Sequence, residues 1–278
     1  RMSLGRGLMG IMYEKNHHKD LTFSAFAWFG YFILFLTFIA GFQISQVSLK
    51  EFFSSEGLEG ARRIFSALFN PNWSILEEGV FAAVETIYMA FIATAFAIPI
   101  AFVLGFFSAQ NLMVHTKTGW FVYWLLRLIS NLSRSIEPLV WAIIFSVWVG
   151  IGPFSGMLAL WLHSIASLIK QYSEQIESIN DGPMEAMTAT GAHPIQVVWF
   201  GVVPQIVLPY LSYTIFRWDI NVRMATVIGL VGGGGLGNLL MQYQGQARWN
   251  EVGTLVIIIA VIVWVMDWAS SKLREALK

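Results

Sequence analysis

Glu185-Ala186-Met187-Thr188-Ala189-Thr190-Gly191 is a polar stretch in an otherwise apolar chain, and the apolar run Val197 to Val203, closed by Pro204, follows it. An acidic residue, a small residue, one helical turn and then glycine is more pattern than a plain connection between two spans requires. The stretch reads as a short amphipathic helix, a glycine break and a second short helix. Glycine tolerates the left-handed backbone such a break demands. The shape suits a grip by a soluble partner. An ordinary surface helix-turn-helix has the same local pattern.

The chain on either side of this stretch belongs to a membrane. Hydrophobic residues make up 56% and charged residues only 12%, against roughly 25% charged in globular domains. Mean hydropathy is +0.62. A membrane-spanning helix needs about 20 mostly apolar residues. Leu21 to Phe42 supplies one, free of charge. Val80 to Phe107 supplies a second, interrupted by Glu85 and Pro99. Gly119 to Gly150 is too long for one straight crossing and contains Arg134-Ser135-Ile136-Glu137-Pro138. Proline lacks a backbone donor and disfavours helix at the preceding residue, so a bent or discontinuous element is expected there. Phe154 to Ile169, Val207 to Val231 and Thr254 to Trp268 complete the set. The expected fold is all-α, a polytopic membrane protein of about six transmembrane helices.

Basic residues near the span ends set orientation. With both termini cytoplasmic, one side receives Arg1, Arg6, Lys15, Lys19, Lys117, Lys170, Lys272, Arg274 and Lys278, and the other Lys50, Arg62, Arg63 and Arg248. This places the Glu185 stretch in the cytoplasm. Residues 1–20 are a cytoplasmic tail and 272–278 a second one. The first apolar run is too long for a signal-peptide core and lacks a small-x-small cleavage site, so it reads as a retained helix. The segment Gln43 to Gly79 faces outward. Its amphipathic middle (Leu58, Ile64, Phe65, Leu68) suits the membrane surface, and a simple tether fits it equally well.

Net charge is zero and cysteine is absent. No global field favours nucleic acid, and no disulfide or thiol chemistry is available. The five histidines form no metal-ligand pair at helical spacing, so neither a metal site nor a catalytic constellation is expected.

A charge at mid-span costs about 2.5–3.5 kcal/mol on insertion scales, so each needs a reason. The candidates are Glu85, Arg127, Arg134, Glu137, Arg217, Asp219 and Arg223. Arg134 and Glu137, three apart, can pair on one helical face, and so can Asp219 and Arg223, four apart with the acid first. Arg217 and Asn221 share a second face of the same helix. A helix polar on two faces must lie inside the bundle or at a subunit interface. Glu85 has no basic neighbour in sequence, so one of the arginines is expected to meet it. These groups either neutralise one another and lock helices together or line a path for an anion. Arginine outnumbers acid, and its planar donor fork matches phosphate-like oxygens. Gly232, Gly233, Gly234, Gly235 and Gly237 lie beyond the fifth span. No Lys-Ser/Thr follows and no strand precedes them, so they are not a nucleotide loop. They suit a tight turn or a gate.

Taken together, Arg134 to Ala142, Glu185 to Gly191, Gly201-Val202-Val203-Pro204-Gln205, and Asn221 to Val227 with the glycine run resemble the permease subunit of phosphonate ABC importers, whose near relatives carry phosphite or hypophosphite. The likeness runs from about Glu78 onward. It departs at Met187, where the family's coupling loop has alanine, and at Glu137-Pro138, where the family order is Pro-Glu. The resemblance implies a type I ABC importer permease fold over 79–271, preceded by an extra helix and external segment over 21–78. It implies a second copy of the chain, two cytoplasmic ABC ATPases that bind ATP and Mg, an external solute-binding protein, and multi-pass residence in the cell (inner) membrane among lipid. It assigns Glu185, Ala186, Met187, Gly191 and Pro194 to ATPase coupling. A methionine-type importer permease shares fold, coupling loop and glycine run, but its zwitterionic cargo gives less reason for four intramembrane arginines. A passive channel has no use for a coupling loop, and a membrane enzyme would need a nucleophile–base pair or a metal.

Overall fold

The computed structural model describes residues 27–46 and 48–277. The 1–20 tail with its basic residues, the first residues of the expected Leu21 to Phe42 span, and Lys278 lie outside the described residues. Every described element is helical. The chain divides into two units, residues 1–62 and 63–278.

The first unit contains α1 (Ala27–Ile44), an apolar helix whose described residues are all exposed. It also contains the one-turn α2 (Leu49–Phe52) and the start of α3 (Ser55–Phe69). Ser54 caps α3 through its hydroxyl, which accepts the Gly57 N–H at 3.0 Å. In the second unit, the end of α3 buries Ala67, and a Cβ added at Gly253 would come within 2.7 Å of the Ala67 carbonyl oxygen.

A 3₁₀ turn over Trp73–Ile75 leads into α4 (Leu76–Phe107), which runs through Pro99 without breaking. Short α5 (Gln110–Met113) precedes α6 (Lys117–Ser135) and α7 (Pro138–Val149). α6 and α7 meet at 90°. Glu137 adopts extended dihedrals ahead of Pro138, as the proline ring requires, and Pro138 opens α7 where its missing N–H costs nothing. Arg134 and Glu137 therefore do not share a helical face. They form no ion pair among the described residues, which corrects the pairing expected from their spacing.

α8 (Pro153–Glu177) is the most enclosed helix. It packs along α4, whose buried face is a row of small residues: Gly79, Ala82, Ala83, Ala90, Ala93, Ala97, Ala101 and Gly105. Small side chains let two backbones approach closely in a membrane. At Gly105 a Cβ would stand 3.1 Å from that of Tyr172. Four helices are long and apolar enough to cross a membrane, five when the bent α6–α7 pair counts as one span. The remaining expected span, Phe154 to Ile169, is the N-terminal two-thirds of α8. It carries Ser155, His163, Ser164 and Ser167, a composition tolerable because α4, α6, α7 and α11 surround it.

After α9 (Gly182–Ala189), α10 (Pro194–Val197) does not stand apart from the next span. It passes through a π-helical turn at Val198–Val202 into α11 (Val203–Gly229). Pro204 cannot donate to the helical ladder, and Val203 N–H instead reaches back to the Val198 carbonyl. The apolar element is therefore Pro194–Gly229, longer than Val207 to Val231. The glycine run turns the chain into α12 (Gly235–Gly245), a helix the sequence reading did not anticipate, and α13 (Trp249–Ala276) follows.

Candidate functional site

The Glu185 stretch forms an exposed helix-turn-helix. Neither α9 nor α10 buries a residue. Glu185, Ala186, Gly191 and Pro194 are exposed and Met187 is half-buried. Gly191 has φ +74°, so the turn depends on a conformation L side chains avoid. Its amide donates to the Thr188 carbonyl at 3.0 Å. His193 caps α10 with Gln196 reaching back to its N–H, a reciprocal arrangement. The base of the loop is tied by Gln205. Its amide donates to the carbonyls of Asn180 and Gly201 at 3.2 and 2.7 Å, and its oxygen accepts the Asn180 N–H at 3.1 Å. Gly201 lets α9 rest on the π-helical turn, since a Cβ there would lie 3.2 Å from the Met184 Cα. Gln205 and Gly201 were part of a noted motif, but nothing local in sequence reveals that they brace the loop.

The intramembrane polar residues separate into five arrangements. Arg223 donates to Asp219 at 2.5 Å, as the spacing predicts, and also to Asp267 of α13. Asp267 was not anticipated because it is 44 residues away in sequence. Asp219 is 2% exposed and Asn221 1%. The Asn221 amide donates to Thr94 at 2.8 Å and to Ser164 at 2.7 Å. This ties α11 to α4 and α8 in the protein interior. Arg127 donates to Glu177 at 2.7 Å and covers the Tyr123 ring.

Arg217 is different. It is 8% exposed, its Nε is sealed without a protein partner, and it forms no ion pair among the described residues. The charge of Arg134 reaches it, and both charges reach His163 of α8. His163 was considered only as a metal ligand and set aside. Its place beside Arg217 is a tertiary fact.

Glu85 meets no arginine among the described residues, which corrects that expectation. Its Oε1 accepts the Gly235 N–H at 3.2 Å, while Thr86 accepts the Leu236 N–H at 2.9 Å. These are orphan donors at the start of α12, and a carboxylate is favourable at a helix N-terminus. The glycine run is thus held from α4. Gly232, Gly234 and Gly235 have φ of +89°, +79° and +66°. Gly233 passes over Gly156, where a Cβ would lie 2.6 Å from the Gly233 carbonyl oxygen. At Gly237 a Cβ would lie 2.0 Å from the Thr226 carbonyl oxygen. The run is a tight turn, beside a cavity of about 280 Å³ that also touches Glu78 and Gln242.

Apolar helices long enough to cross a membrane, an exposed helix-turn-helix and a polar interior fit a membrane transport subunit. Residues 101–276 match the family described as binding-protein-dependent transport system inner membrane component, and the chain belongs to that family. It is 33% identical over 222 residues to the phosphite transport system permease protein PtxC of Stutzerimonas stutzeri, covering 80% of this chain and 79% of that one. It is 32% identical over 215 residues to the phosphate-import permease protein PhnE of Mycolicibacterium smegmatis, covering 77% of this chain and 40% of that one. Its fold is similar to a chain in an inward-facing structure of the MetNI methionine ABC transporter, with TM-score 0.61, 24% identity, and 72% and 95% coverage. These relatives are transport subunits and not enzymes.

Proposed function

We propose that this chain is the membrane subunit of an ATP-driven importer of phosphite or a related phosphorus oxyanion such as phosphonate or hypophosphite. The observation that carries the reading is the likeness to a phosphite transport permease over about four-fifths of both chains. Two copies would form the path, two cytoplasmic ATPases would bind ATP and Mg, and an external binding protein would deliver the cargo. Both termini would face the cytoplasm. The α9–α10 hairpin would dock in a groove of the ATPase, with Glu185 at the contact, Ala186 and Met187 against its wall, and Gly191 and Pro194 setting the turn. This chain itself would hold no cofactor.

The fold it shares with a methionine transporter supports methionine as the second reading. The test is uptake by proteoliposomes containing the permease, its ATPase and its binding protein. Phosphite uptake that needs ATP and is undiminished by excess methionine supports the proposal. Methionine uptake without any for phosphite, phosphate or methylphosphonate overturns it.

A further inference from the structure

We infer that Arg217, Arg134 and His163 form an oxyanion-binding station at the break between α6 and α7, continued along α8 by Ser167. The inference rests on the reading of this chain as an oxyanion permease and adds the place where the anion is held.

The first observation is charge that the fold leaves uncompensated. Arg127, Arg223 and Arg248 each have a carboxylate, in Glu177, Asp219 with Asp267, and Glu251. Arg217 and Arg134 have none among the described residues. Arg217 is the most buried of the five. Guanidinium does not lose its proton in proteins, and burying a charge without a partner is costly. Arg134 is exposed, and its charge repels that of the buried Arg217 with His163 also within reach of both, so an anion held among them would compensate the buried guanidinium. Asp219, the acid nearest Arg217 in sequence, is already engaged with Arg223.

The second observation is independent of charge. Ser133 Oγ, His163 Nδ1, Ser167 Oγ and Gln171 Oε1 are sealed from solvent and have no protein partner. Ser133 adjoins Arg134. His163, Ser167 and Gln171 are spaced four apart and so share one stripe of α8. Buried polar groups are ordinarily paired, and of these exceptions the Ser133 and Ser167 hydroxyls and an Nδ1–H tautomer of His163 can donate to an anion, whereas Gln171 Oε1 only accepts. Hydroxyl and imidazole donors beside two guanidinium forks match a small tetrahedral oxyanion, whose oxygens accept several bonds at once. A zwitterionic amino acid would bring an ammonium group toward two arginines.

The experiment uses the complete transporter in proteoliposomes, with phosphite as the probe. Arg217→Gln should lower phosphite uptake at least about tenfold, the cost of one charge-assisted hydrogen bond. The complex should still assemble, and loaded binding protein should still stimulate its ATPase. Arg217→Lys should recover part of the uptake, and Ser167→Ala should raise the half-saturating concentration while leaving assembly intact. Normal uptake by Arg217→Gln overturns the station. If Arg217→Gln fails to assemble, Arg217→Lys decides. Reduced uptake by an assembled Lys variant supports the station. Fully normal uptake by that variant overturns it and makes Arg217 a helix lock to the second copy. A wild-type complex that carries no phosphorus oxyanion overturns the station together with the proposed cargo, whereas wild-type uptake with an indifferent Arg217→Gln removes the station alone.

Discussion

Among the residues, the sharpest contrast is between Arg223 and Arg217, six positions apart on one helix. Arg223 sits between two carboxylates, so its charge is spent within the protein and its role is to hold α11 against α13. Arg223→Ala leaves Asp219 buried and unpaired, at a cost of about 3 kcal/mol. We expect a thermal midpoint for the purified complex several degrees below wild type. Adding Asp219→Ala should return most of that loss and restore uptake. Failure of the double variant to recover uptake would place Arg223 on the anion route. The Asp219–Arg223 pair was legible from its spacing. Asp267 and the bond from Glu85 to Gly235 were not, because each joins residues brought together only by packing.

At the scale of elements, two glycines carry opposite consequences. Gly191 sits at positive φ with open space around it, so Gly191→Val strains only the turn, by roughly 1–2 kcal/mol. The expected outcome is a complex that assembles and hydrolyses ATP but couples hydrolysis to uptake poorly. Ala186→Asp, on the exposed face of α9, should do the same. Normal uptake and ATPase stimulation in both variants would remove α9 from coupling. Gly237 has no space at all, and Gly237→Val must push α12 away from α11. Overpacking of this kind costs about 1–3 kcal/mol or more. We expect reduced yield of assembled complex and a lowered thermal midpoint, readable by size exclusion and a melting curve. The break at Ile136 was foreseeable from Pro138, but its 90° angle was not.

In the molecule as a whole, α11 has one polar face turned inward and an apolar series, Leu208, Leu211 and Val227, turned outward. With no native cysteine, single cysteines at Leu211 or Val227 should cross-link two copies within the assembled transporter, as a two-fold pair would require. A complex with one permease per two ATPases, measured by mass, would contradict that arrangement.

The sequence by itself determined that the chain is a helical membrane protein, where its main apolar segments lie, and that the Glu185 to Gly191 stretch forms a short helix and a turn. Those properties follow from local apolar periodicity, composition and backbone preference. The tertiary structure alone decided which charges are satisfied. Arg223 bridges Asp219 and Asp267, Glu85 and Thr86 cap an unforeseen helix, and Arg217 has no carboxylate partner among the described residues. Charge compensation depends on which helix faces meet, and the packing of small residues on α4 against α8 sets that meeting. Such a contact joins positions far apart in the chain and leaves no periodic trace in either.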